Sequence, residues 1–226
     1  MDPVALHLSS SGFHAYRITL RGHQEAGVPL FDAAAWEADL VEAYREMRVR
    51  YPKLPIHLLG YSLGGLLAAR VTDHYPDVQP RSMVLIAPAL SLRLLVQTSF
   101  ALNLLPPLVS TIPNIAPRYY RRFARTPLFW YQNTLSLYSL TRTISTNSTL
   151  RNTPTLVFAN PVDELVSYSG LVDWIRDNGL SPSWRTITLR PQPRDPFTPA
   201  HLIIDQRSLG APHWKELHSH LADFLR

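Results

Sequence analysis

Apolar residues fall into two rhythms along this chain. Short continuous runs occur as IHLLG at 56–60, MVLIAP at 83–88 and TLVFAN at 155–160. Runs of this length predict strands covered on both faces of a sheet. AYRITL at 15–20 and WRTITLR at 184–190, rich in β-branched and aromatic residues, are predicted as strands too. Between these runs the spacing lengthens to three or four residues. Trp36, Leu40, Tyr44 and Met47 predict one helix, with Asp32 placed to cap it. Leu63, Leu66, Leu67 and Val71 predict a second. Trp214, Leu217, Leu221 and Phe224, behind Pro212 in a first helical turn, predict a third. Strands alternating with helices imply an α/β fold with a mostly parallel sheet flanked by helices.

The alternation stops between about 91 and 151. Proline pairs, Tyr and Trp clusters and the polar tail TRTISTNSTL occupy sixty residues with no strand pattern, too many for a simple connection. The expected organisation is a core of residues 1–90 and 151–226, interrupted by a helical cap or lid at 91–150. Charge marks the same block. Residues 91–151 hold seven arginines and no Asp or Glu, against 15 basic and 17 acidic residues in the remainder. Basic side chains among Leu, Phe, Tyr and Trp suit an anionic amphiphile or membrane surface, and nucleic acid is not the expected partner.

Composition narrows the chemistry. With 46% hydrophobic and 17% charged residues among 226, disorder of the bulk is excluded. No run of 18 uninterrupted apolar residues is present. The opening MDPVALHLSS lacks the basic start and apolar stretch of a secretory signal, so a cytoplasmic location with peripheral membrane contact is the expectation. The absence of cysteine removes disulfides, thiolate metal sites and cysteine nucleophiles. No phosphate loop, metal-ligand cluster or dinucleotide fingerprint is recognisable, so neither cofactor nor metal is expected.

One motif stands out. Gly60, Ser62 and Gly64 form G-x-S-x-G between a predicted strand and a predicted helix. A nucleophilic serine projects from a tight turn in that context, small neighbours let the chain reverse, and the Leu63 N–H at the helix start faces a developing oxyanion. The competing reading is a glycine-rich left-handed turn whose serine only caps the helix.

Here the chain resembles the α/β-hydrolase superfamily, in particular its monoacylglycerol lipase and lysophospholipase-like branch of serine aminopeptidase S33 type. HLLGYSLGG at 57–65 is similar to the nucleophile elbow, LRGH at 20–23 to the segment after the fourth strand, and NTPTLVFANPVDELVS at 152–167 to the acid-bearing strand and loop. PAHLIIDQRSLGAPHW at 199–214 is similar to the histidine loop and final helix, and the block at 91–151 falls where the family carries its lid. The resemblance implies a serine ester hydrolase acting on hydrophobic or lipid-like acyl esters. Its chain order of serine, acid and histidine selects Ser62, Asp163 and His201. Glu164 is the alternative acid. A solvated or helix-capping carboxylate is the bland reading of either one. Among the nine histidines, His213, His218 and His220 fit surface or packing roles on the terminal helix. His57 fits a core role, His23 a structural one, and Asp205 support of the loop after His201.

The resemblance also has a gap. The family's first strands, and the loop that supplies a second oxyanion donor, have no counterpart here. Losing one such donor costs about 10²–10³ in rate. The expectation is therefore that Met1 is an internal start or that the chain is a natural fragment, with an apolar sheet edge exposed or the N-terminal segment paired differently. An acyltransferase or thioesterase using the same triad, and a catalytically impaired homologue, are the alternative readings.

Overall fold

The computed structural model describes residues 1–20, 33–94, 96, 144–191 and 198–226. Among these residues four strands form one sheet in the order β1 (His57–Tyr61), β2 (Ser82–Ile86), β3 (Thr155–Ala159) and β4 (Trp184–Thr188), every pair parallel. Tyr61 lies opposite Ile86, Ile86 opposite Phe158, and Ala159 opposite Thr188. The carboxyl ends therefore line up along one rim, and the chain leaves every strand there. The helices are α1 (Asp2–Ser10), α2 (Ala33–Arg50), α3 (Leu63–His74), α4 (Ser148–Asn152), α5 (Tyr168–Asp177), α6 (Gln206–Leu209) and α7 (Ala211–Leu225).

The continuous apolar runs have a simple physical cause. Successive side chains of a strand point to opposite faces, and both faces of this sheet are covered. Met83, Leu85 and Val157 face one core with Trp36 and Leu40 of α2, Leu67 and Val71 of α3, and Leu171 and Ile175 of α5. Val84, Ile86, Leu156 and Phe158 face the other, with Val4 of α1, Leu209 of α6, and Leu217 and Leu221 of α7. The apolar run at 83–88 outlasts its strand because Ala87 takes φ 43° and leaves extended geometry.

The segment at 15–20 departs from expectation. It forms no strand, and Tyr16 and Ile18 are exposed. Strand propensity needs a hydrogen-bonded neighbour to become a strand, and among the described residues β1 pairs only with β2. Side chains at 13–17 hold this stretch of chain instead. Arg17 pairs with Asp2, His14 stacks on Tyr51, and Phe13 meets His57 edge-on. Helix α1 docks on α7, where the rings of His7 and His218 stack at 3.4 Å.

The predicted cap lies outside the described residues apart from its two ends. At the first end, Leu92 bridges Val166. At the second, the buried carboxylate of Asp73 accepts from the Ser145 N–H (2.7 Å), the Ser145 hydroxyl (2.9 Å) and the Asn147 N–H (2.7 Å). Asp32, the predicted cap of α2, and His23 lie outside the described residues. Among those residues no helix is long and apolar enough to cross a membrane.

Candidate active site

Strand β1 ends at Tyr61 and helix α3 begins at Leu63, so Ser62 alone makes the turn, with φ 53° and ψ −115°. A non-glycine residue avoids such a conformation unless its surroundings impose it. Here the backbone imposes it. The Ser62 N–H donates to the Ile86 carbonyl at 2.9 Å, and the Ser62 carbonyl accepts from the N–H groups of Gly65 (3.0 Å), Leu66 (3.2 Å) and Ala89 (3.1 Å). Close approach also explains the glycines around it. A Cβ on Gly60 would lie 2.3 Å from the Gly64 carbonyl oxygen, and one on Gly65 would lie 2.9 Å from the Pro88 side chain. The serine side chain makes no cap to α3, which excludes the helix-capping reading. The Leu63 N–H, in the first position of α3, has no acceptor within its own helix and points out of the helix N-terminus.

The other two segments leave the same rim. Asp163 follows β3 by a short turn, and His201 lies between β4 and α6. The Ser62 Oγ is 2.9 Å from His201 Nε2, and His201 Nδ1 is 2.8 Å from Asp163 Oδ2. All three residues are buried, at 1%, 6% and 1% exposure in that order. An ionised carboxylate can only accept, so Nδ1 carries the imidazole proton and Nε2 is left to accept from the serine hydroxyl. The second carboxylate oxygen of Asp163 accepts from the N–H groups of Leu165 (2.8 Å) and Val166 (2.9 Å). That carboxylate does not cap α5, because Ser167 does so through the Gly170 N–H.

The remaining candidates have other partners. Glu164 reaches the His201 main chain and not its ring, accepting from the His201 N–H at 3.0 Å. Asp205 caps α6 in a reciprocal pair with Ser208. His57 lies 2.8 Å from the Ser82 hydroxyl, and burial, with the charge of Arg81 adding to it, lowers its pKa. His213 contacts Glu216 at 2.9 Å, and His220 lies beside Phe158. His218 stacks on His7 and packs on Trp214.

Three further residues support the site, and sequence reasoning assigns none of them a role. Tyr61 donates its hydroxyl to the His201 carbonyl at 3.2 Å. The buried Asn160 donates to the Ala200 carbonyl at 2.8 Å and accepts from the Val162 N–H at 3.2 Å. Arg93 donates to the Asp163 carbonyl at 2.6 Å. The one pointer the sequence offers is the position of Tyr61 inside the G-x-S-x-G motif. Among the described residues no group of three His, Asp or Glu side chains could hold a metal. A hydroxyl hydrogen-bonded to an imidazole, itself oriented by a carboxylate, is an arrangement able to deprotonate the hydroxyl and return the proton to a leaving group.

The sequence model of a family described as serine aminopeptidase, S33, matches residues 1–182, taking in Ser62 and Asp163 and ending before His201. No curated protein matches the chain. Among solved structures the chain is similar to one of the metagenome-derived lipolytic enzymes LipS and LipT. That likeness has 17% identity and a TM-score of 0.68, covering 100% of this chain and 87% of the other. The chain is also similar to an esterase of Pyrococcus furiosus, at 17% identity and TM-score 0.62, covering 100% and 74%. A soluble variant of monoglyceride lipase from Saccharomyces cerevisiae, in complex with a substrate analogue, gives 14% identity and TM-score 0.58, covering 92% and 73%. At these identities the likeness is one of fold.

Proposed function

The chain belongs to the serine aminopeptidase S33 family of α/β hydrolases, and from that starting point we propose that it is a serine hydrolase cleaving carboxylic esters with hydrophobic, lipid-like acyl groups. The observation that carries the proposal is the unbroken series of contacts from the Ser62 hydroxyl through His201 to Asp163, set on a strained turn. Ser62 Oγ attacks the ester carbonyl carbon while His201 Nε2 takes its proton. The resulting oxyanion is stabilised by the Leu63 N–H. Collapse breaks the bond to the alcohol, which leaves with the proton from Nε2, and the acyl group stays on Ser62. Water then gives a proton to Nε2 and attacks the acyl carbon. The Ser62 oxygen departs, recovers that proton, and the carboxylic acid is released. Throughout, Asp163 fixes the imidazole and offsets the positive charge it gains.

Esters are favoured over peptides with a free amino terminus because recognition of an ammonium group needs an uncommitted carboxylate. Among the described residues, the carboxylates that touch His201 already have hydrogen-bond partners, Asp163 the imidazole and two N–H groups, and the exposed Glu164 the His201 N–H at one oxygen. Residues 91–151 bring no Asp or Glu at all. The lipolytic, esterase and monoglyceride lipase activities named for the similar structures point the same way. In this reading the segment at 91–150 is the cap of the acyl site, and its arginines suit an anionic head group or membrane surface.

The test is hydrolysis of a series of 4-nitrophenyl esters of rising chain length beside amino-acyl 4-nitroanilides, with Ser62→Ala as control. The expected result is Ser62-dependent ester cleavage that favours longer chains over acetate, with the anilides left intact. Preferential cleavage of the anilides, or ester cleavage unchanged by Ser62→Ala, would overturn the proposal.

A further inference from the structure

His201 is held through its main chain as well as through its ring. The peptide group joining Ala200 and His201 is gripped at both ends. Its carbonyl accepts from Asn160 Nδ2 at 2.8 Å, and its N–H donates to Glu164 Oε2 at 3.0 Å. The next carbonyl, that of His201 itself, accepts from the Tyr61 hydroxyl at 3.2 Å and from the Ile203 N–H at 3.1 Å. Both peptide groups flanking the His201 Cα are therefore fixed, which leaves the imidazole only its two side-chain torsions. The Tyr61 ring, centred 5.2 Å from the imidazole and tilted by 37°, limits it on one side.

The sources of these bonds matter. Tyr61 immediately precedes Ser62, and Glu164 immediately follows Asp163. The elbow and the acid loop are thus each tied to the histidine loop by a residue adjacent to their own member of the relay. We infer that Tyr61 and Glu164 are positioning residues whose main-chain hold on His201 keeps the imidazole aimed after Ser62 has been acylated. This rests on the serine-hydrolase reading above. In the resting site two side-chain contacts orient the ring, one to Asp163 and one to Ser62. In the acyl-enzyme the Ser62 oxygen carries the acyl group and has no proton to donate, so the second contact is lost. The ring must then hold its place while it activates water, and the hold on the histidine main chain does not depend on the state of the serine. Removing either anchor should therefore slow deacylation more than acylation.

The experiment uses the full chain and 4-nitrophenyl butyrate, with rapid-mixing measurement of nitrophenolate release and the mass of the acid-quenched protein. For Tyr61→Phe and Glu164→Ala the steady-state rate should fall about threefold to tenfold, the scale of one typical lost hydrogen bond. The acylation phase should change by less, and acyl-enzyme should accumulate beyond the wild-type level. Glu164→Gln, which retains an acceptor oxygen, should recover most of the rate. In a His201→Ala background neither anchor substitution should lower the residual rate further, because the anchors act only through that imidazole. Tyr61→Phe deletes one oxygen and, with melting temperatures measured for every variant, keeps the test open if Glu164→Ala fails to fold. Acylation and deacylation slowed equally, or unchanged partitioning in Tyr61→Phe, would overturn the inference while leaving the hydrolase reading intact. A wild-type chain that forms no Ser62-dependent acyl-enzyme would instead overturn the hydrolase reading.

Discussion

Replacing Gly60 by alanine puts a methyl carbon 2.3 Å from the Gly64 carbonyl oxygen, 2.4 Å from its carbon and 2.5 Å from the Gly65 nitrogen. All three atoms are backbone, so no side chain can swing away. To reach the 3.0 Å that a Cβ tolerates, the first turn of α3 must retreat by about 0.7 Å. That turn carries Ser62 and the Leu63 N–H, whereas His201 is held from other segments. The 2.9 Å contact between Ser62 and His201 must therefore lengthen or bend. Overpacking of this kind costs about 1–3 kcal/mol of stability, and a displacement approaching 1 Å at reacting atoms costs about 10² in rate. Gly64 is the contrast within the same motif. A Cβ there meets no described atom within 4 Å, and alanine is the better helix former by about 0.8–1 kcal/mol. The assay is kcat/KM on a 4-nitrophenyl ester together with the melting temperature. Gly60→Ala should lose about two orders of magnitude in kcat/KM and melt lower, while Gly64→Ala should melt no lower than wild type. A Gly60→Ala protein with wild-type kcat/KM and melting temperature would mean that the first turn of α3 takes up the methyl group without displacing Ser62.

Three further outcomes are expected. Because Ser62 sits at φ 53°, Ser62→Gly should be more stable than Ser62→Ala by about 1 kcal/mol, the lower end of what such backbone strain costs; urea denaturation of the two inactive proteins reads this directly. Asp73→Ala removes the acceptor of three hydrogen bonds that hold residues 145–147 and should cost about 3 kcal/mol in the same measurement. Burial, with the charge of His7 adding to it, pushes the His218 pKa down from 6.5 to about 4. Between those values the unfolded chain binds more protons than the folded one, so stability is full above 6.5 and declines as the pH falls toward 4. The melting temperature should follow that course, and His218→Phe should flatten it.

Much of this architecture was legible because it follows from periodicity. The runs at 56–60, 83–88 and 155–160 are continuous because helices cover both faces of the sheet, and the structure has a strand at each. The segment at 15–20 shows where such reading stops. Tyr16 and Ile18 have strand-forming side chains, but among the described residues no neighbouring strand supplies a ladder, so propensity alone does not make them extended pairs. At the site, the motif positions Ser62 at a strand-to-helix junction, and Asp163 and His201 each follow a recognisable strand. The anchors were not legible, because a bond from a side chain to a distant main-chain group leaves no spacing behind. Asn160, Glu164 and Tyr61 would look the same in sequence whether or not they touched the histidine loop. The sequence offers Glu164 as an alternative acid for the imidazole, and its carboxylate instead meets the His201 N–H.

The central claim is that Ser62 is a nucleophile activated by His201. The most direct measurement is covalent labelling of the full chain by a fluorescent alkyl phosphonate, with the modified residue located by peptide mass spectrometry and the rate compared among wild type, Ser62→Ala, His201→Ala and Asp163→Asn. A single adduct on Ser62 is expected, none in Ser62→Ala, with labelling slowed by about 10⁴ in Asp163→Asn and by about 10⁶ in His201→Ala. Labelling elsewhere, or a Ser62 adduct that forms as quickly without the His201 imidazole, would contradict it.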